Sequence, residues 1–134
     1  MHAAPPADIR SAATRFAPPG AHVFLALERD ATIGVIAWTR DGRPRALALH
    51  WSNGRWRAAR SGGLSLRQGP RVVREPFLLR VRGASVVWLD GKEATITGYE
   101  YVLLIGQQRG VHTVVALAQR GQDAVARAWS YTVR

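Results

Sequence analysis

The chain has 134 residues, 47% of them hydrophobic and 21% charged, a size that fits one domain and not two large ones. No apolar run approaches the ~18–20 residues of a membrane span, and the absence of cysteine excludes disulfides, thiol nucleophiles and Cys-ligated zinc. Nineteen basic residues against nine acidic ones give a net charge of +10, which suits a nucleic-acid or other polyanionic partner.

Residues 1–20 read as a Pro-rich leader, either flexible or holding one short helix. Ala3-Ala4-Pro5-Pro6 and Ala17-Pro18-Pro19-Gly20 are rich in breakers. Between them Asp8 can cap a helix on which Ile9, Ala12, Ala13 and Phe16 recur at helical spacing. About two turns are too few to be stable unless docked.

From residue 21 the reading is β throughout, with strands expected at 22–28, 32–39, 45–52, 55–60, 76–82, 85–89, 94–97, 99–105, 111–119 and 124–133. Asp41-Gly42, Asn53-Gly54 and Asp90-Gly91 are the dipeptides that adopt positive φ in tight hairpins, and Gln119 to Gln122 offers a longer turn. Many short strands with such turns predict an all-β, antiparallel sandwich or barrel, and the sandwich is the form expected. The glycine-rich stretches Ser61-Gly62-Gly63 and Gln68-Gly69-Pro70 divide it into a β-meander over 21–62 and a second unit over 63–134.

A two-residue Asn53-Gly54 loop pairs Ser52 with Arg55, Trp51 with Trp56, His50 with Arg57 and Leu49 with Ala58. Leu47, Leu49, Trp51, Trp56 and Ala58 then share a core face; Ala48, His50, Ser52, Arg55 and Arg57 share a solvent face. In the last strand Trp129, Tyr131 and Val133 alternate with Ala128, Ser130 and Thr132. Phe77, Leu79 and Val81 oppose Arg80 and Arg82 in the same way.

Val86, Trp88, Asp90, Gly91 and Lys92, then Gly110, His112, Thr113, Val114 and Ala116, with Gly121 in a final hairpin, resemble the bacterial immunoglobulin-like modules of surface and secreted proteins. Gly69, Val72, Pro76 and Phe77 can supply the first strands of that pattern. The resemblance covers residues 63–134 and implies an immunoglobulin-like sandwich preceded by an added meander. It implies a surface or secreted location, and no single ligand.

Catalytic signatures are absent: there is no H-E-x-x-H, G-x-S-x-G or phosphate-cradling loop. His2, His22, His50 and His112 lack metal-ligand spacing, so no metal and no cofactor is expected. His112 reads as a structural hydrogen-bonding residue near a sheet edge. Asp41 and Asp90 read as turn acceptors.

Five tryptophans, Trp38, Trp51, Trp56, Trp88 and Trp129, lie in or beside strands, and their first reading is as core. The sharper one makes Trp51 and Trp56 a stacking platform at the hairpin, Trp51 mostly buried and Trp56 partly exposed at the rim. With His50 and Arg57 they form the candidate ligand-binding set.

The expectation is a non-enzymatic binding or structural module of a bacterial surface or secreted protein. Its partner would be a polysaccharide or another protein, and carbohydrate is the ligand that a tryptophan pair suits. The alternative is a basic nucleic-acid-binding or virion-associated protein, which would use the same charge on a polyanion. Location follows the same division: extracellular or cell-surface for a mature fragment, cytoplasmic or virion if Met1 is native.

Overall fold

The structure, a computed structural model, describes residues 8–134, with the backbone alone at Asp8. The Ala3–Pro6 breakers and the Asp8 cap fall outside the described residues. Helix α1 (Asp8–Phe16) precedes β1 (His22–Glu28), β2 (Ile33–Arg40), β3 (Arg43–Ser52) and β4 (Arg55–Ala58), which pair in sequence as an antiparallel meander. Seven further strands follow: β5 (Val72–Val73), β6 (Phe77–Arg80), β7 (Val86–Leu89), β8 (Lys92–Ala94), β9 (Tyr101–Leu104), β10 (Gly110–Arg120) and β11 (Asp123–Val133). They form a five-stranded sheet, β5-β11-β10-β7-β8, and a two-stranded sheet, β6-β9. Only the short β5 runs parallel to its neighbour, β11.

Turn chemistry fixes the hairpins. Asp41, Asn53 and Asp90 hold φ of 53°, 52° and 51°, followed by Gly42, Gly54 and Gly91 at 72°, 79° and 83°. Two successive positive φ values match the right-handed twist of the flanking strands. The Asn53-Gly54 turn produces the expected pairing of Trp51 with Trp56 and His50 with Arg57. The strand expected at 94–97 does not form. Gly98 and Tyr99 take φ of 61° and 66°, and Thr97 and Tyr101 exchange backbone hydrogen bonds of 2.6 and 3.0 Å across the resulting turn.

The layers stack as α1, the meander, the five-stranded sheet and the β6-β9 pair, with an apolar cluster in each gap. Two sheets are therefore covered on both faces, and their central strands carry continuous buried runs in place of alternation. Ile33 to Ala37 of β2 and Val114 to Ala118 of β10 are all buried.

This corrects the expected solvent face of the first hairpin. Ala48, placed there by its parity, is 3% exposed and packs with Val115, Leu117 and Ala124. Ala46, Ala126 and Ala128 join it, and such small side chains let β3 and β11 bring Cα atoms within 8 Å, closer than the ~10 Å usual for stacked sheets. Ala58, expected in the core, is exposed. A register shift between Val23 and Leu25 marks a bulge, and both Phe24 and Leu25 pack toward the five-stranded sheet.

Of the two forms expected for the leader, the helix is the one formed over Asp8–Phe16. It sets Ile9, Ala12 and Ala13 against Ile36, Leu49 and Trp56. Gly34 makes the fit possible: a Cβ there would sit 2.4 Å from Ile9 Cδ1 and 3.0 Å from the Leu27 carbonyl oxygen. The Arg15 guanidinium, 4.9 Å from the Phe16 ring centroid, donates to the Trp56 carbonyl and ties the last helical turn to β4.

Candidate functional site

The four residues singled out from sequence do not meet. Alternation along β3 and β4 sends Trp51 and Trp56 to the helix side, and His50 and Arg57 to the opposite side. The two indoles pack edge to face, centroids 5.5 Å apart at 68°. Their exposures reverse the expected order: Trp56 is 1% exposed and Trp51 is only partly buried. The cover over Trp56 is α1, a layer that hairpin register alone does not reveal. A ring so enclosed offers no stacking surface, so the pair is not a platform.

The surface that does stand out is basic. All eighteen arginines are exposed, and among the described residues only Arg80 pairs with a carboxylate, Glu100, at 2.7 Å. Arg15, Arg120 and Arg127 donate to the backbone carbonyls of Trp56, Gly62 and Leu66. The others have no protein partner among the described residues.

Several clefts gather arginines: Arg43 and Arg45 border one together with Arg71 beside β11, and two others stand out. One, of about 600 Å³, lies at the β2–β3 turn and is lined by Pro18, Trp38, Arg40, Asp41, Arg43 and Arg45. The other, of about 620 Å³, runs between β6 and the 65–70 loop, where Arg67, Arg80 and Arg82 flank Phe77 and Leu78. Trp38 is partly buried against the cluster under α1. The first cleft therefore joins an anchored aromatic wall to three guanidiniums. In sequence, T-R-D-G-R-P-R after Trp38 carries the signal, hidden by the even scatter of arginine elsewhere.

At one end of the five-stranded sheet, His112 donates from Nδ1 to Asp90 Oδ2 and from Nε2 to the Gln108 carbonyl, both at 2.6 Å. Two acceptors can both be satisfied only by the doubly protonated ring. The Asp90 hydrogen bond holds the His112 pKa above the usual histidine value; burial opposes it, and the Gln108 carbonyl and the charges of Asp90 and Glu75 assist. His112 stacks on Tyr131, centroids 5.4 Å apart at 17°, and the Tyr131 hydroxyl donates to Gln107 at 2.7 Å. Asp90 Oδ1 also accepts from the Thr113 amide at 2.9 Å. The network is a hydrogen-bonded strut at the end of β10, beyond its pairing with β7; Asp90, expected to accept within its own turn, accepts from His112 and Thr113 of β10 instead.

Among the described residues no group of three His, Asp or Glu side chains is placed to hold a metal ion, and no helix is long and apolar enough to cross a membrane. Comparison with protein-family models, curated proteins and solved structures finds no match.

Proposed function

We propose that this chain is a non-enzymatic binding module of a bacterial surface or secreted protein, and that its ligand is an anionic polymer. The observation that carries the reading is the arginine surface: eighteen exposed guanidiniums with a single carboxylate partner among the described residues. Guanidiniums left to solvent release counterions when a polyanion takes their place, which drives association without a deep pocket. Open clefts bordered by arginine suit an extended chain of charge better than an enclosed small molecule.

The location rests on the immunoglobulin-like reading of residues 63–134, which strand order supports. Neighbours β7, β10 and β11 follow the order of immunoglobulin strands C, F and G, and β6 pairs with β9 as B does with E. One feature departs from that pattern. Trp88 on β7 packs toward the added meander and not toward the β6-β9 pair.

A salt titration tests the function. Binding of the full chain to a sulfated polysaccharide should weaken steeply from low to physiological salt, while a neutral polysaccharide should not bind. Absence of binding at low salt, or binding indifferent to salt, overturns the reading.

A further inference from the structure

We propose that the end of the β2–β3 hairpin is a binding site for single-stranded nucleic acid, in which a base stacks on Trp38 and flanking phosphates engage Arg40, Arg43 and Arg45. The inference rests on the polyanion reading above and narrows it to one site and one ligand class.

Strand geometry places the four side chains together. Ile36 faces α1, so Trp38 and Arg40, two and four residues on, project from the same side of β2. Trp38 pairs with Arg45 and Arg40 with Arg43 across the sheet, which brings both β3 arginines to that side. Helix α1 ends at Phe16 and leaves this corner as the cleft of about 600 Å³ bordered by Pro18. Arg43 and Arg45 are two residues apart, roughly 7 Å along the strand, so their guanidiniums can take separate phosphates.

The arrangement carries a cost that folding does not explain. Arg40 lies directly opposite Arg43, and like charges in cross-strand pairs oppose sheet formation. Asp41, the one carboxylate lining the cleft, makes no ion pair with them. A charged rim that merely discourages strand addition needs no tryptophan between its charges. No arginine stacks on Trp38 either: among the described residues the cation–π contact is that of Arg15 with Phe16. Packing against the helix-side cluster holds the indole in place, so little side-chain freedom is lost when a ring stacks on it. An aromatic face beside several guanidiniums is the combination by which proteins hold unstacked bases and their phosphates. A sulfated glycan engages the arginines through its sulfates, and its charged, heavily substituted rings offer an indole less flat apolar face than a base does.

The test is fluorescence anisotropy of the full chain with a labelled oligothymidylate and, in parallel, a labelled heparin fragment, at fixed low salt. Folding of each variant is checked by its thermal melt. The triple variant Arg40→Gln, Arg43→Gln, Arg45→Gln should weaken oligonucleotide binding at least about tenfold more than Arg10→Gln, Arg29→Gln, Arg109→Gln, which removes equal charge elsewhere. Trp38→Leu should weaken oligonucleotide but not heparin binding, by about tenfold, and Trp38→Phe should recover most of it. Equal losses in the two triples overturn the site and leave the polyanion reading standing. Loss in the hairpin triple with no effect of Trp38→Leu overturns base stacking. If the unmodified chain binds neither polymer, the underlying reading falls as well.

Discussion

Trp56 has its indole N–H buried without an acceptor, so the ring itself is held under α1 by packing, while its carbonyl takes the Arg15 hydrogen bond. Replacing it with alanine should cost about 3–5 kcal/mol, the range for large buried aromatics. Trp51→Ala should cost clearly less, because its ring is only partly covered. Denaturant midpoints for the two variants check the ordering, and equal costs would contradict the burial difference. Trp129, 3% exposed and also without an acceptor for its N–H, belongs with Trp56 in this respect. His112 makes a pH-dependent contribution. Its folded pKa lies above the ordinary value of 6.5, so the stabilisation is complete below 6.5 and disappears as pH rises through the folded value. The melting temperature should therefore fall across that window, and Asp90→Asn should flatten the fall by removing the largest cause of the shift. A profile unchanged by Asp90→Asn would show that the strut is energetically silent.

Helix α1 has nine residues, too short to persist in water without a partner, so docking and helicity should be lost together. Ile9→Asp, which sets a carboxylate at a position 3% exposed, should undock it. The tryptophan emission should shift to the red as Trp56 is uncovered, while the sheet signal in circular dichroism persists. Retained blue emission would mean that the sheet shields Trp56 without the helix. The same element shows where sequence reasoning stops. The β2–β3, β3–β4 and β7–β8 hairpins were legible because Asp-Gly and Asn-Gly specify a local backbone geometry. The helix could be read from its apolar spacing, but its destination could not, since a two-turn stripe fits any apolar surface. Gly34, which opens that surface to Ile9, looks in sequence like an ordinary glycine. Alternating Leu and Ala in β3 imitates a one-faced strand, because alanine carries too little apolar area to announce a second buried face. The proposed hairpin site is hard to read for another reason: arginine is spread so evenly that the T-R-D-G-R-P-R stretch after Trp38 stands out only once the fold has grouped its side chains.

Across the whole molecule, a net charge of +10 with one Arg–carboxylate pair among the described residues means that the folded surface repels itself. Compaction brings these charges closer than they are in the unfolded chain, so screening favours the folded state. The melting temperature of the free protein should rise as sodium chloride increases from about 20 to 200 mM, a range over which the Debye length shortens severalfold. A polyanion acts on the same charge with the opposite salt dependence. At a free concentration of about 100 times Kd it should stabilise the fold by about 2.7 kcal/mol, a shift of several degrees for a chain of this size. Added salt dissociates the complex and shrinks that shift. Melting curves with and without oligothymidylate should therefore converge with rising salt, the free protein moving up and the complex moving down. If the free protein instead loses stability as salt rises, attractive surface pairs outweigh the repulsion, and the arginines are less available to a ligand than their exposure implies.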